Sequence, residues 1–219
     1  MNVRKSFEKE IEGLKNSLLN MVELAEKAIA SSLEALKTQD LKLAEEVIKN
    51  DQEINQIDEY INNKVISMIA QQQPVATDLR KIIVALKIST DVERIGDLAV
   101  NIAKSTLHIG KEKLIKPIID IPKMAEIAQL MLHQAFEAYN KEDVELALKL
   151  AEVDDQIDEM YGKLIKELLA LMARNPENIA QITQLAFICR YIERVGDHAT
   201  NMAENIIYMV KGKQSNLNT

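Results

Sequence analysis

The segment ERIGDLAVNIA, residues 93–103, reveals how this chain is built, because it recurs as ERVGDHATNMA at residues 193–203. Seven of the eleven positions are identical, at a separation of 100 residues. Upstream, MVELA at 21–25 matches MAEIA at 124–128, at a separation of 103 residues. The separation changes where each copy has a proline, in a predicted turn that tolerates insertions. The chain therefore contains a unit of roughly 100 residues twice, which is the size of a small domain and too long for a solenoid repeat.

The composition favours long helices. Among 219 residues, 47% are hydrophobic and 28% are charged, and there are only six glycines and four prolines. Ala, Leu, Ile, Glu, Lys and Met favour helix, and few residues are available to interrupt it. We therefore predict an all-α fold of six long helices, arranged as two tandem pseudo-symmetric three-helix bundles.

Three helices are expected in the first unit, because apolar residues recur three and four positions apart. The predicted spans are roughly 3–36, 40–70 and 77–108. Asp40 suits the N-cap of the second helix, and Pro74 ends it.

The second unit follows the linker LIKPIIDIP at 114–122, which contains two prolines. Pro122 fits the first turn of the fourth helix, and Asp143 fits the N-cap of the fifth. The sequence Asn-Pro-Glu at 175–177 is a start signal for the sixth. Short loops predict antiparallel neighbours within each unit. The predicted boundaries are 1–112 for the first bundle, 118–213 for the second and 214–219 for a tail.

Charge and composition exclude several classes of function. The net charge of −7 argues against a nucleic-acid binder, which needs a basic face. No stretch approaches the roughly 18 apolar residues of a membrane span. The N-terminal residues lack the apolar core of a signal peptide, and Cys189 alone cannot form an internal disulfide or a thiolate zinc site. A cytoplasmic protein is expected.

Acidic residues recur on matched helix faces. In the ERxGD motif Glu93 and Asp97 are four residues apart, so they share one helix face, and the copy at 193–197 repeats this arrangement. Similar pairs lie on the helices predicted to pack against them. Like charges held this close would bind cations or take up protons. Oxygen donors without His or Cys suit magnesium, calcium, manganese or iron. The candidate metal ligands are Glu93, Asp97, Glu193, Asp197, Asp154, Asp158, Asp51 and Asn55.

A solvated helix face is the plainer interpretation of any one such pair, with Arg94 reaching Asp97. Two features favour a site. The pairs recur at matched positions, and each motif has a glycine in mid-helix, Gly96 and Gly196. Glycine there costs roughly 0.5–1 kcal/mol relative to alanine, so we expect close backbone approach or room for a bound group.

Other motifs are weaker. Residues 154–158 spell DDxxD, a pattern of prenyl-diphosphate enzymes, but the counterpart at 51–55 does not preserve it. No Glu-x-x-His pair of a di-iron protein occurs, and the His-Asp order of a phosphohydrolase is reversed. His198 could supplement the second site, although its counterpart is Leu98, which favours an ordinary polar histidine. Cys189 is expected to be a small core residue.

Several segments together resemble the PhoU family of bacterial phosphate-uptake regulators, and the similarity covers nearly the whole chain. The segments are NDQEIN (50–55), QQPVATDLR (72–80), ERIGDLAVNIA (93–103), ERVGDHATNMAENI (193–206) and YMVKGK (208–213).

The resemblance implies two similar three-helix bundles and metal ions held by paired E/D-xxx-D motifs. Iron is implied, with manganese, magnesium, calcium and zinc as other choices. The first half departs from the pattern, because Asp51 is followed four residues later by Asn55. By position, the implied ligands are Glu93, Asp97, Glu193, Asp197, Asp154 and Asp158.

The resemblance also implies a cytoplasmic adaptor and not an enzyme. Such an adaptor acts between the ATPase subunit of a phosphate ABC transporter and a membrane sensor histidine kinase. It damps uptake, keeps the phosphate-starvation response off, reaches the membrane only through partners and forms homodimers. The QPVATDLR turn, with Pro74, Asp78 and Arg80, is a candidate contact surface. Alternatively, Asp78 caps the third helix and Arg80 is solvated.

Two functions from different classes therefore remain. One is a signalling adaptor with metal sites, and the other is a metal-dependent helical enzyme acting on phosphate or diphosphate esters. No nucleophile, general base or basic substrate clamp is evident in the sequence, which favours the adaptor.

Overall fold

The computed structural model describes residues 3–217, and side chains from residue 5 onward. No strand occurs in this part of the chain, and the predicted all-α fold of two tandem three-helix bundles is confirmed. The helices are α1 (Val3–Thr38), α2 (Leu41–Gln72), α3 (Ala76–Ile109), α4 (Asp120–Lys141), α5 (Val144–Arg174) and α6 (Ile179–Lys211), with one 3-10 turn at Pro176–Asn178.

The predicted caps are present. The Asp40 side chain accepts hydrogen bonds from the amides of Lys42 and Leu43, and Asp143 does the same one repeat later. Such a cap is worth about 1 kcal/mol, because it satisfies amides that have no partner within the helix. Pro122 lies in the first turn of α4, as predicted. In the Asn-Pro-Glu signal, Asn175 is the N-cap residue of the 3-10 turn Pro176–Asn178, and α6 begins directly after this turn.

The two bundles share one apolar core. Helices α1 to α3 pack together in the first half and α4 to α6 in the second, while α3 packs along α6 and α1 touches α4. Buried side chains from both halves form one continuous cluster. Cys189 is fully buried in it, as expected, and burial raises the pKa of its thiol to about 12.

Polar contacts bridge the seam between α3 and α6. His198 Nδ1 lies 3.0 Å from Asp91 Oδ1, and Lys87 Nζ donates to Asn205 Oδ1 at 3.1 Å. The partners run in opposite directions along the two helices, so α3 and α6 are antiparallel. His198 thus pairs with the other half of the chain and does not join the acidic residues of its own half.

The helices of the described part were also compared with the length and hydropathy that a membrane span needs. None from Val3 to Lys211 is both long enough and apolar enough to cross a bilayer.

Candidate metal centres

Each bundle brings an acidic stretch of one helix against the ERxGD motif of the next. Helix α2 packs on α3, and α5 packs on α6. We call these places the first site and the second site. The first site comprises Asp51, Asn55, Glu93 and Asp97, and the second comprises Asp154, Asp158, Glu193 and Asp197.

The two mid-helix glycines allow this close approach. A Cβ atom built on Gly196 would lie 2.9 Å from Asp154 Oδ1 and 3.1 Å from Ile157 Cδ1. At Gly96 the corresponding distances to Asp51 Oδ1 and to the Cδ1 of its neighbouring isoleucine are both 3.0 Å. A side chain at either position would fill the space that the carboxylate occupies. The backbone approach expected from the sequence is therefore present in both halves.

Two carboxylates of the second site are buried to an unusual degree, whereas Asp197 is half-buried and Asp158 is exposed. Asp154 is 8% exposed and Glu193 is 7% exposed. Acidic side chains are almost never buried this deeply unless they are paired or bind a metal. In the first site Asp51, Glu93 and Asp97 are all half-buried.

Burial and mutual repulsion raise the pKa values of the second site. Burial is the main cause at Glu193, where Asp197 adds repulsion and the pKa reaches about 7. Burial likewise raises the pKa of Asp154 to about 6, while the Thr200 hydroxyl beside it acts in the opposite direction. The pKa of Asp158 is also raised, by burial and by Asp197. A bound cation would relieve all of these unfavourable charges.

The pKa values of Asp51 and Glu93 in the first site are also raised, but neighbouring side chains compensate more of the negative charge there. Burial raises the pKa of Asp51, and the side chain of Asn55 opposes this, because its Nδ2 donates to Asp51 Oδ2 at 3.0 Å. Burial and Asp97 raise the pKa of Glu93. Arg94 contacts Glu93 at 3.3 Å and donates to Asp97 at 2.8 Å. The arginine contact considered in the plainer interpretation is therefore present.

Among the described residues, three buried carboxylate oxygens have no hydrogen-bond partner: Asp51 Oδ1 in the first site, Glu193 Oε2 in the second, and Glu26 Oε1 outside both sites, which lies 3.3 Å from His133 Nδ1. An unpartnered buried acceptor is costly, so Asp51 Oδ1 and Glu193 Oε2 each mark a place where a cation would stabilise the fold.

We call the close packing of Gly96 against Asp51 and of Gly196 against Asp154 the glycine cradles. These cradles and the all-oxygen donor set fit a hard cation. Within residues 3–217, however, no three His, Cys, Asp or Glu side chains are gathered as ligands around one point.

The structure adds charged residues that the motif did not indicate. Arg190 contacts Glu193 from three residues upstream, and its guanidinium carbon lies 5.9 Å from the centre of the Tyr161 ring. Asp58 lies close enough to raise the pKa of Glu93, and it accepts a hydrogen bond from Ser89 at 2.6 Å. The i, i+3 spacing of Arg190 to Glu193 was the available signal in the sequence.

The QPVATDLR turn differs from its plainer interpretation. Val75, not Asp78, is the N-cap residue of α3, and it makes no side-chain cap hydrogen bond. Arg80 is not merely solvated, because its Nε donates to the carbonyl oxygen of Met209 at 3.3 Å, near the C-terminus of α6. Val75 is 75% exposed, and the next residue, Ala76, has a φ of 46°. The turn therefore holds an apolar side chain out in solvent.

Comparisons with known proteins agree along the whole chain. A family model described as the PhoU domain matches residues 18–106 and again 121–206. A phosphate-specific transport system accessory protein PhoU homolog from Clostridium acetobutylicum is 41% identical over 98% of this chain and 99% of its own length. A homolog of the same description from Aquifex aeolicus is 40% identical over 94% and 93%.

Solved structures agree with the fold. The crystal structure of PhoU from Pseudomonas aeruginosa, 33% identical, superposes with a TM-score of 0.90 over 94% of this chain and all of that one (100%). The phosphate transport system regulatory protein PhoU from Streptococcus pneumoniae, 30% identical, gives 0.89 over 96% and 99%. With both repeats matched by the family model and relatives similar from end to end, the chain belongs to the PhoU family.

Proposed function

We propose that this chain is a cytoplasmic, non-enzymatic regulator that lowers phosphate uptake and holds the phosphate-starvation response off. It acts as a metal-binding adaptor between the ATPase subunit of a phosphate ABC transporter and a sensor histidine kinase. Support comes from full-length relatives named as accessory proteins of phosphate-specific transport, and from a solved structure described as a regulatory protein.

The observation that carries the metal-binding part is the pair of unpartnered buried carboxylate oxygens beside the glycine cradles. In the second site Asp154, Asp158, Glu193 and Asp197 would hold a cation, which supplies the positive charge that these residues lack. In the first site the ligands would be Asp51, Glu93 and Asp97, with Asn55 offering its amide oxygen. Iron, manganese, magnesium or calcium suits these oxygen donors better than zinc, which is usually held by nitrogen and sulfur.

The QPVATDLR turn is the surface that we assign to a protein partner. Val75 is presented to solvent on the turn, and Arg80 ties the turn to the end of α6. Such an apolar side chain, backed by a fixed loop, is suited to fill a pocket on a partner. The ATPase subunit and the kinase are the partners implied by the resemblance, and pairing of two copies is expected on the same ground.

Co-purification from cells grown at high and at low phosphate tests the adaptor role. We expect the transporter ATPase and the sensor kinase to be captured with the wild-type chain, in amounts that depend on phosphate. The variant Val75→Ser should capture less of at least one partner, while Ile119→Ser, which changes another exposed apolar residue, should not. Capture of neither protein at either phosphate level would contradict the proposal.

The competing function is hydrolysis or transfer on phosphate or diphosphate esters, for which the DDxxD at 154–158 is the specific observation. Purified protein would be assayed with added manganese or magnesium for phosphatase and prenyl-transfer activity. We expect no turnover above background. Robust turnover that is lost in Asp154→Ala would overturn the adaptor and establish the enzyme.

A further inference from the structure

Arg190 contacts only one of the two carboxylate oxygens of Glu193. Its guanidinium contacts Glu193 Oε1, while Glu193 Oε2 is buried and has no hydrogen-bond partner. The Glu193 side chain is 9% exposed and that of Arg190 is 48% exposed. The arginine therefore reaches in from the surface to neutralise a carboxylate that faces the second site.

The aromatic ring of Tyr161 is a second contact partner for the same guanidinium. Its ring belongs to α5 and Arg190 to α6, with the guanidinium carbon 5.9 Å from the ring centre. A cation at this distance from an aromatic face is attracted to it. If Glu193 became engaged elsewhere, Arg190 could stay on the ring with only a change of side-chain rotamer.

The arrangement is specific to the second half. In the first half Thr90 stands at the position of Arg190, and Asp58 stands at that of Tyr161. There Arg94 of the ERxGD motif contacts the acidic residues instead. Because neither Arg190 nor Tyr161 has an equivalent in the first copy of the repeat, the duplication alone does not explain why these two residues are paired.

A metal ion bound to Glu193 Oε2 and the guanidinium on Glu193 Oε1 would repel each other, because both are positively charged. We propose that Arg190 is the internal counter-ion of the second site, and that a divalent cation displaces it from Glu193 onto Tyr161. This inference rests on the proposed metal binding and adds how the site is regulated. Loading with metal frees a positive charge on the outer surface of α6, so the metal state of a buried site changes the surface that a partner meets.

Titration with Mn²⁺ by calorimetry tests the displacement. The experiment uses full-length protein that also carries Asp97→Asn, so that the first site is weakened. In this background Arg190→Gln should bind Mn²⁺ roughly tenfold more tightly, because no guanidinium has to be displaced. The matched control Arg194→Gln, an exposed arginine of the same helix, should change the affinity by less than about threefold.

The outcomes separate the two proposals. Equal or weaker Mn²⁺ binding by Arg190→Gln, in a parent that binds Mn²⁺, would overturn the counter-ion role and leave the metal site intact. No Mn²⁺ binding by the parent and by the wild-type chain would overturn both proposals.

A second measurement needs no variant. Wild-type protein would be treated with an arginine-specific dicarbonyl reagent, with and without Mn²⁺, and the modified peptides quantified by mass spectrometry. Modification of Arg190 relative to Arg194 should rise severalfold with Mn²⁺, because the guanidinium leaves its carboxylate. An unchanged ratio in metal-loaded protein would contradict the displacement.

Discussion

The first and second sites share a plan but differ in how their negative charge is compensated. Both have a glycine cradle and an unpartnered carboxylate oxygen. In the first site the amide of Asn55 donates to Asp51, whereas the matched position of the second site is the carboxylate Asp158. The second site therefore has one more acidic residue, and its Asp154 and Glu193 are more deeply buried than the carboxylates of the first site.

The duplicated unit has thus retained its geometry and changed its electrostatics. The cradle depends on helix packing, which the repeat preserves. The strength of a cation site depends on ligand charge and desolvation, which a single Asn-to-Asp exchange alters. We therefore expect the second site to bind a divalent cation more tightly than the first.

The largest effect is expected from Glu193→Gln. Removal of this buried charge should weaken Mn²⁺ binding at the second site by roughly 100-fold, or about 2.8 kcal/mol. The metal-free protein should be no less stable at pH 8, because an unfavourable buried charge has been removed. Calorimetry and urea unfolding would measure the two quantities. Retained second-site affinity in this variant would remove Glu193 from the ligand set.

The cradle itself is tested by Gly196→Val. The added side chain meets Asp154 and Ile157 at distances near 3 Å, so we expect a loss of about 2 kcal/mol of unfolding free energy. Gly162→Ala is the matched control, because nothing lies within 4 Å of its added Cβ. That variant should gain roughly 0.5–1 kcal/mol from helix propensity. Equal stability of the two variants in urea unfolding would show that Gly196 has no packing role.

Stability of the metal-free protein should fall as pH rises from about 4.5 to about 7. The folded state holds a proton on Glu193 more tightly than the unfolded chain does, since the pKa moves from 4.5 to about 7. The folded state therefore binds more protons in this window, and its stability decreases with pH, on the order of 2 kcal/mol in total. Urea unfolding across this range would measure the slope.

Two further measurements test whether the second site causes this pH dependence of stability. Glu193→Gln should make it shallower, because the group with the most strongly raised pKa is gone while Asp154, whose pKa is raised to about 6, still titrates. Saturating Mn²⁺ should restore the stability lost at neutral pH, since the cation binds the ionised site. A wild-type unfolding free energy that rises between pH 4.5 and 7 would contradict the raised pKa values of the second site.

The smallest effect should come from exchanging the residues that distinguish the sites. Asn55→Asp adds a carboxylate to the first site and should raise its Mn²⁺ affinity about tenfold. Asp158→Asn should lower the affinity of the second site by a similar factor. The double variant would then reverse the ranking in a calorimetric titration. If the ranking stayed the same, burial rather than ligand charge would set the difference.

Sequence periodicity predicted the helices to within about three residues at most ends, because caps and prolines act locally. It also predicted close backbone approach or room for a bound group at Gly96 and Gly196, since a mid-helix glycine at matched positions is unfavourable without one of these, and the structure shows the close approach.

The contact of Arg80 with Met209 was not predicted, because only the packed structure brings the two helices together, whereas the contact of Arg190 with Glu193 had a local signal in its i, i+3 spacing that was not used. The Asp91–His198 contact joins the two halves and, like the Arg80 contact, had no local signal.

Elemental analysis of purified protein would show whether the two acidic sites bind metal. Wild type would be compared with Glu93→Ala/Asp97→Ala/Glu193→Ala/Asp197→Ala, each after incubation with ferrous or manganous salt and removal of free metal. Carboxylate-bound cations at both sites predict metal in the wild-type protein and a near-complete loss in the fourfold variant, with both chains folded by circular dichroism. Equal, near-zero metal in the two proteins would contradict the account.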